Sequence, residues 1–191
     1  MLDNADLHRS LEHLTPEQRV AFTSACLEGL VRQFGESARG SQLLPKYLLT
    51  QSVALSWRFV PVVPNDLSEV ERLYKESESI IEESGDEGGG LFVAEHVLAG
   101  IWYALRAVEL RSPDFGVLVA TNYYEAADYA ITIEDPNLSD EEILATPLVA
   151  GVLRVISEIL SEVRTLSATD LDAVKEFREK VAAIYGDQIS S

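Results

Sequence analysis

The chain has 191 residues, of which 47% are hydrophobic and 25% charged, so it can bury a sizeable core and falls outside the disordered class. Its 15 Lys and Arg against 32 Asp and Glu give a formal charge of -17, which repels phosphate backbones and anionic lipid and argues against nucleic acid or a membrane surface as a direct partner. A lone cysteine, Cys26, rules out an intrachain disulfide and points to a reducing, cytoplasmic setting.

The opening "MLDNADLHRSLEHL" is acidic and interrupted by polar residues, unlike the basic and then apolar plan of a signal peptide, and His8 and His13 read as residues of a surface helix. "LTPEQRVAF" places Thr15 as N-cap, Pro16 at the first helical position and Gln18 at capping-box spacing, predicting a helix from about Pro16 to Phe34 that stops at Gly35. "GESARGSQ" reads as a loop, and a second long helix starts near Leu43 to Pro45 and reaches Phe59, where "VPVVP" ends it. Asn65 is the expected cap of a helix running to about Ser84, with Leu67, Val70, Tyr74 and Ile81 as its narrow apolar stripe. "SGDEGGG" is the flexible stretch of the chain, and a hinge between two halves would fall at 84–90.

The run at 91–110 is the most apolar in the sequence. It has the length of a membrane span, but Glu95, His96, Arg106 and Glu109 interrupt it, which fits a central buried helix. Ala94, Ala99, Gly100, Ala104 and Ala107 allow neighbours to approach closely. "RSPDF" restarts a helix with Ser112 as cap and Pro113 at its first position, reaching about Ile133. "NLSDEEI" repeats the capping logic with Ser139 and Glu142, and Pro147 opens a strongly amphipathic helix carrying Leu148, Val152, Val155, Ile156, Ile159, Leu160 and Val163. The last helix, about Thr169 to Tyr185, aligns Leu171, Val174, Phe177, Val181 and Ile184. No alternating strand and no fixed-period repeat interrupts this pattern. The expectation is an all-α single domain, 1–191, a compact bundle of about seven to nine helices.

Few residues suggest chemistry. Glu95 and His96 are neighbours, but successive helical residues diverge by about 100°, so they do not form one dyad. Glu95 belongs with Trp102, Arg106 and Glu109, and His96 with Phe92, Gly100 and Tyr103. Glu125 and Asp128 lie three apart on one helical face with Thr121 and Thr132. Together, Glu95, His96, Glu125 and Asp128 are the candidate pocket set. No histidine has a glutamate three residues before it and His-Glu-x-x-His is absent, so neither a metal site nor a cofactor is expected. Cys26 stands one turn from Phe22 and Leu30 without a basic neighbour, as a core thiol does. No Gly-x-Ser-x-Gly, P-loop or dinucleotide fingerprint is present.

What remains is electrostatic. Residues 65–87 hold nine acids against Arg72 and Lys75, and 134–142 add five more with no base. Such runs are solvated faces by default. Glu69, Glu76, Glu83, Asp86, Glu87, Glu134, Asp135, Asp140 and Glu141 are the candidate acidic surface for a basic protein partner.

Read end to end, the chain resembles the YjaG-like family of bacterial helical proteins, a domain family of unknown function. The resemblance is carried by "LEHLTPEQRVAFTSACLE", by Trp57 late in the second long helix, and by "LSDEEILATPLVAGVLRVISEIL" leading into "DLDAVKEFREKV". It departs after "ACLE", where Gly29 and Leu30 replace an Arg-Met-Tyr-Pro-like continuation. The resemblance implies an all-helical cytoplasmic fold and supplies no catalytic residues. Helical families of this kind are also similar to immunity proteins of polymorphic toxin systems, which implies a non-enzymatic protein that binds a basic toxin domain. A helical ligand- or metal-binding domain or enzyme, and a homodimeric protein, are the alternatives.

Overall fold

The structure is a computed structural model that describes residues 2–40, 44–83 and 92–189. The described residues form nine helices and no strand: α1 (Asn4–Glu12), α2 (Pro16–Gly40), α3 (Lys46–Arg58), α4 (Ser68–Glu83), α5 (Phe92–Leu110), α6 (Pro113–Glu134), α7 (Asp140–Ala145), α8 (Pro147–Val163) and α9 (Leu171–Ile189). The all-α reading is correct, and the proposed hinge at 84–90 lies outside the described residues.

Three helices make the centre. α5 packs against α2, α3, α4 and α6, and α2 also meets α8 and α9, so most layers share the α2–α5–α6 contact. Val97, Leu98, Ile101, Leu105 and Val108 of α5 are fully buried, as the apolar run at 91–110 requires. Small residues let the axes approach: a Cβ added at Gly100 would stand 2.3 Å from Leu30 Cδ2. Burying this many Leu, Ile, Val and Phe side chains, each stabilising by about 1.5–3 kcal/mol, is the main force holding the bundle.

Local signals set the boundaries. Thr15 and Gln18 form the expected reciprocal cap, Gln18 N donating to Thr15 Oγ1 at 3.2 Å and Thr15 N to Gln18 Oε1 at 2.9 Å. Ser112 caps α6, Thr146 caps α8, and Ser139 with Glu142 completes the capping box of α7.

Three details differ from expectation. α2 continues through Gly35 to Gly40, because Gly35 is buried against Leu49 and the contact outweighs the roughly 1 kcal/mol that glycine costs a helix. Asn65 does not open α4: Asp66 Oδ1 accepts from Ser68 N at 2.8 Å, and Leu67 O takes the first helical bond, from Glu71 N. Among the described side chains the buried stripe of α4 is Val70, Leu73 and Ser77, with Leu67 and Tyr74 at its edge, while the side chain of Ile81 lies outside what the structure describes. On α9, Leu171, the first residue of the helix, is 72% exposed, and Tyr185, held inward by its bond to Ala25 O, rather than Ile184 completes the buried row after Val174, Phe177 and Val181.

One junction uses an unexpected residue. Arg111, between α5 and α6, has φ 52°, the left-handed cap position that glycine normally takes, at a cost of about 1–2 kcal/mol. Its guanidinium offsets this: Nη2 donates to Phe59 O at 2.9 Å and Val62 O at 2.7 Å, and Nη1 donates to Glu17 Oε1 at 3.1 Å. Arg111 thereby ties the α3–α4 connection to the start of α2.

Candidate functional site

The four pocket residues do not converge as a set. His96 points from α5 to α6, where its Nδ1 lies 3.2 Å from Asn122 Oδ1 and 3.6 Å from Glu125 Oε2. Asn122 Nδ2 donates to Leu118 O at 2.8 Å, which turns the amide oxygen toward the imidazole and makes His96 Nδ1 the donor. The imidazole is half-buried, 23% exposed, and shared between an amide and a carboxylate. Among the described residues no hydroxyl or thiol is bonded to it. Glu95 sits elsewhere on the helix, half-buried and bonded to none of the described residues. The adjacent acid and imidazole are therefore separate residues, as helical geometry requires.

Glu125 thus joins His96, while Asp128, one turn further along α6, forms no ion pair with a described residue. Tyr124 lies beside Glu125 on α6, half-buried, and its hydroxyl is held above the ordinary tyrosine range first by burial and then by the negative charges of Asp128, Asp140 and Glu125. Asp140 comes from α7, which the Ser139–Glu142 box and the buried Ile143 fix against the bundle. The charges that act on this phenol thus come from two helices. Glu134, Asp135 and Glu141 are exposed nearby in the chain, and none of Asp128, Glu134, Asp135, Asp140 and Glu141 forms an ion pair with a described residue.

The other acidic run behaves differently. Glu69 pairs with Arg58 at 3.4 Å and Glu76 with Arg72 at 3.3 Å, and α4 packs on α3 and α5 while α7 packs on α6 and α8. The two runs therefore occupy separate neighbourhoods. The side chain of Glu83, and Asp86 and Glu87, lie outside what the structure describes.

A buried ionic cluster emerges that spacing did not reveal. Glu28 is 4% exposed on α2 and accepts four N–H donors: Arg32 Nε and Nη2 on Oε1 at 3.0 and 2.6 Å, Trp57 Nε1 on Oε2 at 2.7 Å, and Arg178 Nε on Oε2 at 3.3 Å. Arg178 also stacks over the Trp57 ring at 5.5 Å, and Phe177 meets that ring edge-on. Helices α2, α3 and α9 are joined here. One turn away Tyr185 donates to Ala25 O at 2.7 Å, and a Cβ at Gly29 would fall 2.4 Å from the Tyr185 hydroxyl. Gly29, the position where the family-like motif breaks off, is thus the space into which Tyr185 fits. Sequence signals for this cluster were thin: an acid on the apolar side of α2 and an arginine beside Phe177.

Cys26 is buried, and burial alone pushes its thiol far above the ordinary range, so it carries no thiolate for nucleophilic work. Among the described residues no group of three His, Cys, Asp or Glu is placed to hold a metal ion, and no helix is long and apolar enough to cross a membrane.

No family model and no curated protein sequence matches the chain. Among solved structures it is similar to the crystal structure of a DUF416 family protein from Shewanella baltica OS155, with a TM-score of 0.75 and 16% identity over 92% of this chain and 93% of that one. The likeness extends over nearly the whole fold, and the function of that family is itself unknown. The finer YjaG-like label drawn from the sequence motifs has no family match behind it. At the level of fold, the chain is an all-helical bundle similar to that of this neighbour.

Proposed function

We propose that this protein works by binding another protein rather than by catalysis, most concretely as an immunity protein that neutralises a bacterial toxin through the acidic face of α6 and α7. One observation carries the reading: Asp128, Glu134, Asp135, Asp140 and Glu141, on the packed pair α6 and α7 and their connection, form no ion pair with a described residue. Like charges held together repel and lower stability, and a basic partner would supply the missing counter-charge and speed its own docking. Tyr124 adds an aromatic contact of the kind enriched at binding hot spots.

The test is co-expression with the product of the adjacent gene. The expected result is protection from toxicity and a complex that weakens with salt, by at least tenfold in Kd for Asp128→Lys with Asp140→Lys. Glu69→Lys, on α4, should leave binding within about twofold. Absence of both complex and protection rejects the proposal, and equal loss from the α4 variant rejects the α6–α7 placement.

A further inference from the structure

The start of the chain frames a cleft of about 680 Å³, lined by Asp6, Arg9, Ser10, His13 and Leu14 of α1 and its turn, Gln18 of α2 and Arg164 at the end of α8. That volume suits a small organic ligand. Its walls are tied together. Gln18 Oε1 closes the α2 cap, and its Nε2 donates to Arg164 O at 3.3 Å and Leu166 O at 3.1 Å, bolting the α8–α9 turn to α2. Arg19 holds the end of α1 through Leu11 O and Glu12 O, and His13 Nδ1 donates to Arg9 O at 2.6 Å. A carbonyl can only accept, so the neutral imidazole has its proton on Nδ1 and its lone pair on Nε2.

Arg164 is out of keeping with the chain's charge balance. Acids outnumber bases 32 to 15, and Arg9, Arg32, Arg58, Arg72, Arg106, Arg111, Arg154 and Arg178 each pair with a carboxylate. Arg19 directs its guanidinium to three carbonyls. Arg164 has no carboxylate among the described residues. Among the described residues its guanidinium donates only to Ser10 Oγ, from Nη2 at 3.3 Å, and because Arg164 is exposed its other donors face solvent, open to a ligand. With Arg9 and Asp6 bonded to each other, Arg164 leaves the lining one net positive charge inside a strongly acidic protein.

We infer that this cleft binds a small organic oxyanion, a carboxylate or phosphate ester, gripped by the planar fork of Arg164 with the Ser10 hydroxyl and Arg9 beside it and its carbon skeleton over Leu14. Two parallel N–H···O bonds from a guanidinium are the usual grip on such groups. The site is independent of the α6–α7 acidic face.

Full-length protein is titrated with succinate and with inorganic phosphate at constant ionic strength, and followed by backbone amide shifts. Saturable shifts at Ser10, His13 and Arg164 with at least one probe are expected, and the probe that binds tells carboxylate from phosphate. Arg164→Ala should weaken that binding at least tenfold, as should Arg164→Gln, which keeps a donor for Ser10 but no charge. Arg154→Ala, on the same helix and paired with Glu158, should change it less than twofold. Saturation by neither probe, or equal weakening by Arg154→Ala, overturns the inference. Because Arg164 lies off the acidic face, its variants should still form the partner complex, which keeps the two proposals separable.

Discussion

Glu28 offers the sharpest test of how the bundle is held. Replacing it with Gln keeps the shape but supplies one acceptor oxygen where two now receive four N–H donors, and turns an NH₂ group toward others. Trp57 Nε1 is buried, so losing its acceptor leaves an unsatisfied donor, worth about 1–3 kcal/mol. Arg32 and Arg178 are each 44% exposed and can turn to water, so their share falls well below the roughly 3–5 kcal/mol of a fully buried broken pair. A total of about 2–4 kcal/mol follows, which in a chain of this length lowers Tm by on the order of 5–15 °C. Urea unfolding followed by tryptophan fluorescence should show a lower midpoint with an unchanged slope. In a double-mutant cycle, Glu28→Gln should cost less in a Trp57→Phe background, with a coupling of at least about 1 kcal/mol. A Glu28→Gln variant within about 0.5 kcal/mol of the parent, or a coupling near zero, would refute the account.

Other outcomes follow from single contacts. Gly29→Ala should destabilise by roughly 1–3 kcal/mol, because its methyl must displace the Tyr185 ring and break the bond to Ala25 O; an unchanged urea midpoint would contradict that packing. Cys26 should resist Ellman's reagent in native buffer and react only as fast as the chain unfolds, so rapid stoichiometric labelling of folded protein would show that the thiol is accessible. Asp114 is held below the ordinary aspartate range first by the Ser112 hydroxyl and also by His8, against a smaller opposing effect of burial. Since its folded value lies below its unfolded one, its stabilising effect is present above about pH 4 and is lost as pH falls through the depressed value. A carboxyl NMR titration should give that low midpoint, and Ser112→Ala should move it upward; no movement would assign the shift to another cause.

Helix identity is readable in the sequence because its causes are local. A cap needs a hydroxyl or carboxylate at a fixed spacing, often with a proline after it, and Thr15, Ser112 and Ser139 act where those spacings put them, while Thr146 caps the helix that Pro147 opens. Buried faces follow from periodicity on α5 and for most of α8, where Val149 is buried outside the expected row and Leu148 and Leu160 lie only at its edge, and less well on α4 and α9, whose stripes are narrow enough for one residue of phase to matter: Leu73 falls outside the expected stripe, and Leu171 falls inside it yet faces solvent. The divergence of Glu95 and His96 is equally legible, since it is a property of one helix.

Contacts between helices are not legible. That His96 meets Asn122 and Glu125, and that Glu28 gathers Trp57 and Arg178, depend on pairing residues 26 to 150 positions apart. Composition and spacing settle what each segment becomes, because capping and periodicity act over one or two turns. Which charges are neutralised, which stay unpaired and where a cleft opens depend on the angles at which α1, α2, α6 and α8 cross, and those angles arise from side chains that meet only once the bundle has packed.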